Sequence, residues 1–389
     1  MKTLVLAQVF PPAKGGTGRW LWELYRRLPG FDVHVLAGHA NGSQAFDSTA
    51  GLRIERLALD FPNWGVLNLR GVREYATALR RVRRVAAAAK PDLIHCAKCL
   101  PEGLIGAVIA KWRRVPLLVY VHGEELTLSA LSRELRLLTR YVLGAASAIV
   151  ANSQHTRKLL LELWKVPQHK IQVIHPGVDV SAFVPAAPDA RVRARLGWTN
   201  RRIILTVGAL QKRKGQDMMI RALSSVRDRC PDVLYSMIGE GWEREYLERL
   251  VSECGVGDSV QFRSIDSDRE LIECYQQCDL FVLPNRQIGW DFEGFGIVLL
   301  EAQACGKPVV AGASGGTAET LLPHITGEIV PCNGPMELGR IVADMLSQPS
   351  RLATMGERAR EWAAQNFDWA PLAEQARRVF TASTRHRRG

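Results

Sequence analysis

Two carboxylates separated by seven residues, Glu293 and Glu301, are the most informative feature of this chain. The segment reads Glu293-Gly294-Phe295-Gly296-Ile297-Val298-Leu299-Leu300-Glu301. The glycines flanking Phe295 mark a turn into a helix, whose free N–H groups can hold a phosphate. Glu293 then lies in the loop and Glu301 more than a turn along the helix, where carboxylates accept well from sugar hydroxyls. An ordinary amphipathic helix needs neither two acids at this separation nor two glycines at its start. Upstream, Lys212-Arg213-Lys214-Gly215 ends an apolar run. A mobile ammonium beside a planar guanidinium suits a diphosphate, and a solvated charged turn is the plainer alternative.

Three further groups are weaker on their own. His122 closes the apolar run Leu117–Val121, and a histidine there can donate to a sugar hydroxyl or stabilise developing charge. Gly15-Gly16-Thr17-Gly18 follows the first apolar run. Its backbone can approach a phosphate at a helix N-terminus, but it is neither a spaced dinucleotide fingerprint nor a P-loop. Asp266-Ser267-Asp268 has the form of a metal-binding Asp-x-Asp. It stands between a strand-like and a helical stretch, so a helix N-cap from Ser267 or Asp268 explains it better, and no metal is expected.

These residues are set at the junctions of a repeating pattern. Apolar strand-like runs alternate with amphipathic stretches, as in parallel sheets covered by helices. Thr3–Val9, Val33–Ala37, Leu93–His95, Leu117–His122, Ala148–Ala151 and Gln172–His175 read as strands of a first series. Arg202–Val207, Leu234–Ile238, Val260–Phe262, Leu280–Leu283 and Val309–Ala311 read as strands of a second. Between them Asp179 to Ala190, rich in proline and alanine, reads as a linker. The expected architecture is α/β, with two Rossmann-like doubly wound domains facing a cleft, since such sheets bind ligands beyond the carboxyl ends of their strands.

In order along nearly the whole chain, Gly15-Gly16, His122, Val150-Ala151-Asn152-Ser153, Ile174-His175-Pro176-Gly177-Val178-Asp179, Arg213-Lys214-Gly215, the Glu293/Glu301 pair and Gly315-Gly316-Thr317 resemble the retaining glycosyltransferases of family 4. The resemblance implies a GT-B fold with an acceptor-binding domain over residues 1–184 and a nucleotide-sugar donor domain over 185–366. Residues 367–389 would form a helix crossing back to the first domain. Lys214 and Arg213 would hold the donor diphosphate, Glu301 the ribose hydroxyls, and Glu293 the transferred sugar, assisted by backbone groups of Phe295, Gly296 and Ile297. Gly16 would close over the phosphates, and His122 would contact the sugar near its anomeric carbon. The acceptor would be a glycan or a lipid-linked envelope molecule. Neither a cofactor nor a protein nucleophile is implied. In that family an arginine usually stands where this chain has Ala209, and Arg213, next to Lys214, is the cation that would supply the missing charge.

Composition narrows the remaining classes. A chain of 389 residues, 47% hydrophobic and 23% charged, is an ordinary globular protein too long for one compact core. The start, Met1 to Phe10, reads as a buried strand rather than a leader, and no run approaches the roughly 20 apolar residues that cross a bilayer. The eight cysteines form no framework, and Cys96-Ala97-Lys98-Cys99, lacking a second pair, reads as buried thiols in the cytoplasm. The net charge of +12 has a visible source: Arg70, Arg73, Arg80, Arg81, Arg83, Arg84 and Lys90 around Val72, Ala76, Leu79, Val82 and Val85, plus the tail from Arg385 to Arg388. Such a helix either lies on an anionic membrane surface, here the inner face, or is a solvated face; no nucleic acid is expected. A nucleotide-sugar 2-epimerase on the same scaffold and a silent basic binding protein for lipid or nucleic acid are the alternatives.

Overall fold

The computed structural model describes residues 1–385 apart from Lys14, Asp60, Asn63 and Asp266, with Arg385 described by its backbone alone. The chain divides into two compact units, Met1–Pro176 with Trp369–Gly389, and Gly177–Asp368.

In the first unit seven strands form one parallel sheet of order β3-β2-β1-β4-β5-β6-β7. They are β1 (Lys2–Ala7), β2 (Asp32–Gly38), β3 (Arg53–Leu57), β4 (Leu93–Cys96), β5 (Leu117–Val121), β6 (Ala148–Ala151) and β7 (Ile171–Val173). Alternation along β1 divides the core in two. Leu4 and Leu6 pack under the helices Leu69–Ala89, Leu104–Arg113 and Arg133–Ala145, while Val5 and Ala7 pack with Trp20, Leu21, Leu24 and Phe380 on the other face. Both faces are covered, which is why the strands read as unbroken apolar runs.

The second unit repeats the plan with six parallel strands in the order β10-β9-β8-β11-β12-β13. They are β8 (Arg202–Val207), β9 (Val233–Ile238), β10 (Val260–Arg263), β11 (Leu280–Leu283), β12 (Val309–Gly312) and β13 (Gly327–Val330). Ile204, Val282 and Val310 face one core, and Ile203, Leu205, Phe281 and Leu283 the other. In each sheet the strand order reverses once, between β1 and β4 and between β8 and β11. Loops leaving those adjacent strands diverge and leave room for a ligand.

Three features depart from the sequence reading. The edge strands β3 and β13 were not anticipated: Arg53-Ile54-Glu55-Arg56-Leu57 and Gly327-Glu328-Ile329-Val330 carry charges that dilute the apolar signal. The expected linker belongs to the second unit and is pinned there. Arg360 donates from Nη1 to the carbonyls of Phe183 (2.8 Å) and Ala304 (3.0 Å), and from Nη2 to that of Val180 (2.9 Å), while Phe183 is buried. The basic helix, Leu69–Ala89, is present, but its buried stripe of Tyr75, Ala78, Val82 and Ala86 packs into the first core. That stripe is therefore unavailable to lie in a bilayer. Residues 386–389 of the basic tail lie outside the described residues.

The last helix, Trp369–Arg385, packs within the first unit. The Phe380 ring lies 4.5 Å from His95 and 6.2 Å from Tyr25, centre to centre, and is fully buried. Phe380→Ala is expected to destabilise the first unit by about 3–5 kcal/mol in urea titration followed by a first-unit probe. A loss below about 1 kcal/mol would show that the helix is not docked in solution.

Candidate active site

The loops after β8 and β11 meet because those strands are neighbours. After β8, Lys212–Lys214 makes one tight turn, and Gly215 (φ 75°) sends the chain into the helix Gln216–Arg229. A Cβ at Gly215 would sit 1.8 Å from the Pro284 carbonyl oxygen, so any larger residue would push the two loops apart. The backbone N–H of Arg286 donates to the Arg213 carbonyl at 2.8 Å. Below this link the Arg286 guanidinium makes a buried, two-pronged pair with Asp217, both contacts at 2.8 Å.

At the centre stands the Glu293 carboxylate. Its Oε2 accepts from Arg213 Nη1 at 2.8 Å and from Lys214 Nζ. Arg213 Nε also pairs with Asp291 at 3.2 Å. Glu293 and Lys214 are both buried. Burial pushes the Glu293 carboxyl up, but the charges and hydrogen bonds of Lys214 and Arg213 outweigh it and hold the group below its ordinary value of 4.5. The Glu293 carboxylate therefore keeps its charge through neutral pH and is neutralised only as the pH falls below its ordinary 4.5.

The turn at 314–317 fixes the main chain at Glu293. A Cβ at Gly315 (φ 64°) would lie 1.8 Å from the Glu293 carbonyl oxygen, which accepts from Gly316 N at 3.0 Å. Thr317 secures that turn through its hydroxyl, which donates to the carbonyls of Gly312 (2.7 Å) and Ser314 (2.8 Å). The helix begins at Ile297 after Gly296, with Phe295 buried just before it. Just over one turn along, buried Glu301 accepts from the Tyr275 hydroxyl at 2.7 Å. The sequence pattern separates the two acids correctly, but it gives no sign of Tyr275, which comes from the helix Asp268–Gln277. Ala209 is exposed and its carbonyl accepts from Gln216 Nε2 at 3.1 Å. The second positive charge at Glu293 comes from Arg213.

The first unit brings Gly16 and His122 together. Gly16 opens the helix Gly16–Tyr25, and the next hydroxyl, Thr17 Oγ1, lies 3.4 Å from His122 Nδ1. Since Nε2 of His122 faces the Ala97 carbonyl at 2.8 Å, it carries the proton and Nδ1 is the acceptor. The backbone N–H of His122 donates to buried Glu125 at 2.7 Å, and Asn152 Nδ2 donates to its carbonyl at 3.1 Å. Burial first, and Lys98 second, lower the His122 pKa to about 4, so the ring is neutral at physiological pH. Glu102, not anticipated from sequence, accepts from Gln8 N at 2.8 Å and is pushed up to about 7 by burial.

Two family models together cover most of the chain: Glycosyltransferase Family 4 over residues 14–182 and Glycosyl transferases group 1 over residues 189–362. A GDP-mannose-dependent alpha-(1-6)-phosphatidylinositol monomannoside mannosyltransferase of Mycolicibacterium smegmatis is 33% identical, over 95% of this chain and 97% of the relative. This chain belongs to glycosyltransferase family 4. A GDP-mannose-dependent monoacylated alpha-(1-6)-phosphatidylinositol monomannoside mannosyltransferase of Corynebacterium glutamicum is 28% identical over 99% of both chains. Among solved structures, Anabaena HepE in complex with UDP-glucose superimposes with a TM-score of 0.82 at 22% identity, covering 98% of this chain and all of that one. At that identity the likeness shows the fold, and the fold of this glycosyltransferase is GT-B.

The remaining motifs of the enzyme have structural roles. Ser267 caps the helix Asp268–Gln277 by accepting from Glu270 N at 3.4 Å; Asp266 lies outside the described residues. Cys96 and Cys99 are buried free thiols whose pKa values burial raises well above 9.0. Arg286 is taken up by Asp217, so in the turn before Glu293 the more exposed side chains are those of Gln287 and Trp290.

The lowered pKa of His122 carries a sign that can be checked. Between pH 6.5 and about 4 the unfolded chain binds a proton that the native ring does not. Native stability is therefore lost as the pH is lowered across that window through this residue, by up to about 1.4 kcal/mol per unit. Urea titrations of His122→Asn over the same window are expected to show a slope smaller by one proton. An unchanged slope would place the His122 proton elsewhere.

Proposed function

We propose that this enzyme transfers mannose from GDP-mannose, with retention of anomeric configuration and without a metal ion, to a glycolipid acceptor bearing mannose or inositol. The observation that carries the reading is full-length likeness, at 33% identity, to an enzyme whose name specifies that donor and a phosphatidylinositol mannoside acceptor. The cluster at Glu293 supports it chemically. Lys214 and Arg213 are two cations converging on one carboxylate oxygen. A diphosphate carries more charge than that carboxylate and takes up both cations, which frees Glu293 to accept from hydroxyls of the transferred sugar. Glu301 holds the ribose, Phe295, Gly296 and Ile297 offer backbone groups, and Gly16 adds the N-terminus of its helix.

In this mechanism the bond from the anomeric carbon to the β-phosphate oxygen breaks with GDP leaving. The acceptor hydroxyl adds on the same face, and its proton passes to the departing phosphate. The protein holds both substrates and stabilises diphosphate and oxocarbenium charge. Neutral His122, fixed through Nε2 by the Ala97 carbonyl, presents Nδ1 and Thr17 rather than a cation to the sugar. A neutral group there does not oppose the developing positive charge of the sugar ring.

Lys214→Ala and Glu293→Ala are each expected to lower kcat/KM by about 10²-fold or more, with circular dichroism unchanged. Near-normal turnover in either variant removes this cluster from the donor site. A thermal-shift panel of GDP-mannose, GDP, UDP-glucose and UDP should show stabilisation by the guanosine pair alone. Proton NMR of the product should show an α-linkage, formed at the same rate with a chelator present. Stabilisation by the uridine pair instead, or a rate abolished by the chelator, would overturn the assigned donor or the metal-free mechanism respectively.

A further inference from the structure

The turn that precedes Glu293 is built more tightly than an exposed loop requires. Ile288 and Asp291 exchange both backbone hydrogen bonds, at 2.9 and 3.0 Å, so Gly289 and Trp290 form a two-residue hairpin loop. Gly289, with φ 60°, takes the first loop position, which the type II′ turn gives to glycine. Gln287 Nε2 donates to the Gly289 carbonyl at 2.8 Å and fixes the peptide ahead of Trp290. The stems are anchored as well. Arg286 is held by its backbone at Arg213 and by its guanidinium at Asp217, and Phe292 is buried. At the tip of this anchored loop Trp290 is 55% exposed.

A single exposed apolar residue is ordinary on a protein surface. Trp290 differs in what its loop is tied to. Asp291, the next residue, pairs with Arg213 Nε at 3.2 Å, while Glu293 accepts from Nη1 of the same guanidinium. The two acids use different nitrogens. A donor diphosphate that displaces Glu293 from Nη1 therefore leaves the hairpin fastened through Nε. Trp290 precedes Glu293 by only three residues, on a loop tied to the cation that would hold the diphosphate. An indole in this place is set beside the carboxylate that takes the sugar hydroxyls.

A hexopyranose offers two kinds of surface. Its rim of hydroxyls is met by carboxylates and backbone groups, and its C–H faces by apolar and aromatic side chains. In the donor site Glu293 and the backbone of Phe295, Gly296 and Ile297 supply the first kind, and nothing assigned there supplies the second. We propose that Trp290 is the platform for the transferred hexose, its indole covering a C–H face of the pyranose while Glu293 takes hydroxyls at the rim. The assignment rests on the nucleotide-sugar reading of the Glu293 cluster. The ring face has a second effect. It attracts positive charge, so an indole against the sugar favours the oxocarbenium character that develops as the diphosphate leaves. Gln287 and Asp291 are positioning residues, which set the indole without touching the sugar.

The test measures affinity by calorimetry on the full chain, without acceptor, for GDP-mannose, GDP, UDP-glucose and UDP. In whichever pair binds wild type, Trp290→Ala is expected to weaken the sugar nucleotide by about tenfold and to leave the free diphosphate unchanged. Its thermal midpoint without ligand should match that of wild type. Trp290→Phe should keep most of the affinity, while Trp290→Leu, which has apolar area but no ring, should resemble Trp290→Ala. Gln287→Ala should show a smaller loss of the same kind. In turnover, Trp290→Ala should lower kcat and leave the acceptor KM unchanged. Equal losses for sugar nucleotide and free diphosphate, no loss for either, full rescue by leucine, or an effect confined to the acceptor KM would each overturn the platform. Binding of the uridine pair in place of the guanosine pair overturns the GDP-mannose assignment instead, and the same comparison, made on the uridine pair, still decides the role of Trp290.

Discussion

The loops of the second unit are organised around a single carboxylate oxygen. Burying Glu293 is unfavourable in itself, and removing Lys214 and Arg213 from water adds to the cost. The arrangement holds because three charged groups meet at one atom and because the main chain leaves no slack: Gly215 rests against Pro284, and Gly315 against Glu293. The strand order places β8 beside β11, and the buried Arg286–Asp217 pair locks the loops that leave them. Such a cluster is poised, since an incoming anion exchanges one partner for another and no new cation has to be buried.

Much of this architecture is legible in the residues, for identifiable reasons. Strands buried on both faces, such as Leu280–Leu283 and Ala148–Ala151, appear as uninterrupted apolar runs, and the structure gives both the same ends as the sequence. Edge strands are half polar, so β3 and β13 did not stand out. The proline-rich stretch after Asp179 reads as a linker because composition reports what a segment cannot form, and it cannot report that Arg360, far along the chain, fastens it.

The candidate site divides in the same way. Residues carried by local motifs, namely Arg213-Lys214-Gly215, Glu293 and the glycines near Phe295, announce themselves by unusual types at fixed spacing. Partners supplied by distant elements do not. Tyr275 at Glu301, Asp217 at Arg286 and Glu102 beneath Gln8 become visible only when the sheet order sets one strand end beside another. The basic helix shows the converse limit. Of the apolar residues its periodicity picks out, Val72, Ala76, Leu79, Val82 and Val85, only Val82 belongs to the fully buried stripe, and periodicity alone does not distinguish a stripe meant for lipid from one meant for the core.

The last helix of the chain has a consequence for how the protein is made. The second unit is one unbroken stretch, Gly177–Asp368, whereas the first unit is built from both ends of the chain. During synthesis, then, the later-made unit has its complete sequence before the earlier one does. Until Trp369–Arg385 emerges from the ribosome, Tyr25, His95 and Phe31 lack the ring of Phe380 that covers them. The nascent first unit carries an uncovered apolar face through the whole translation of the second, an interval in which a chaperone has something to hold.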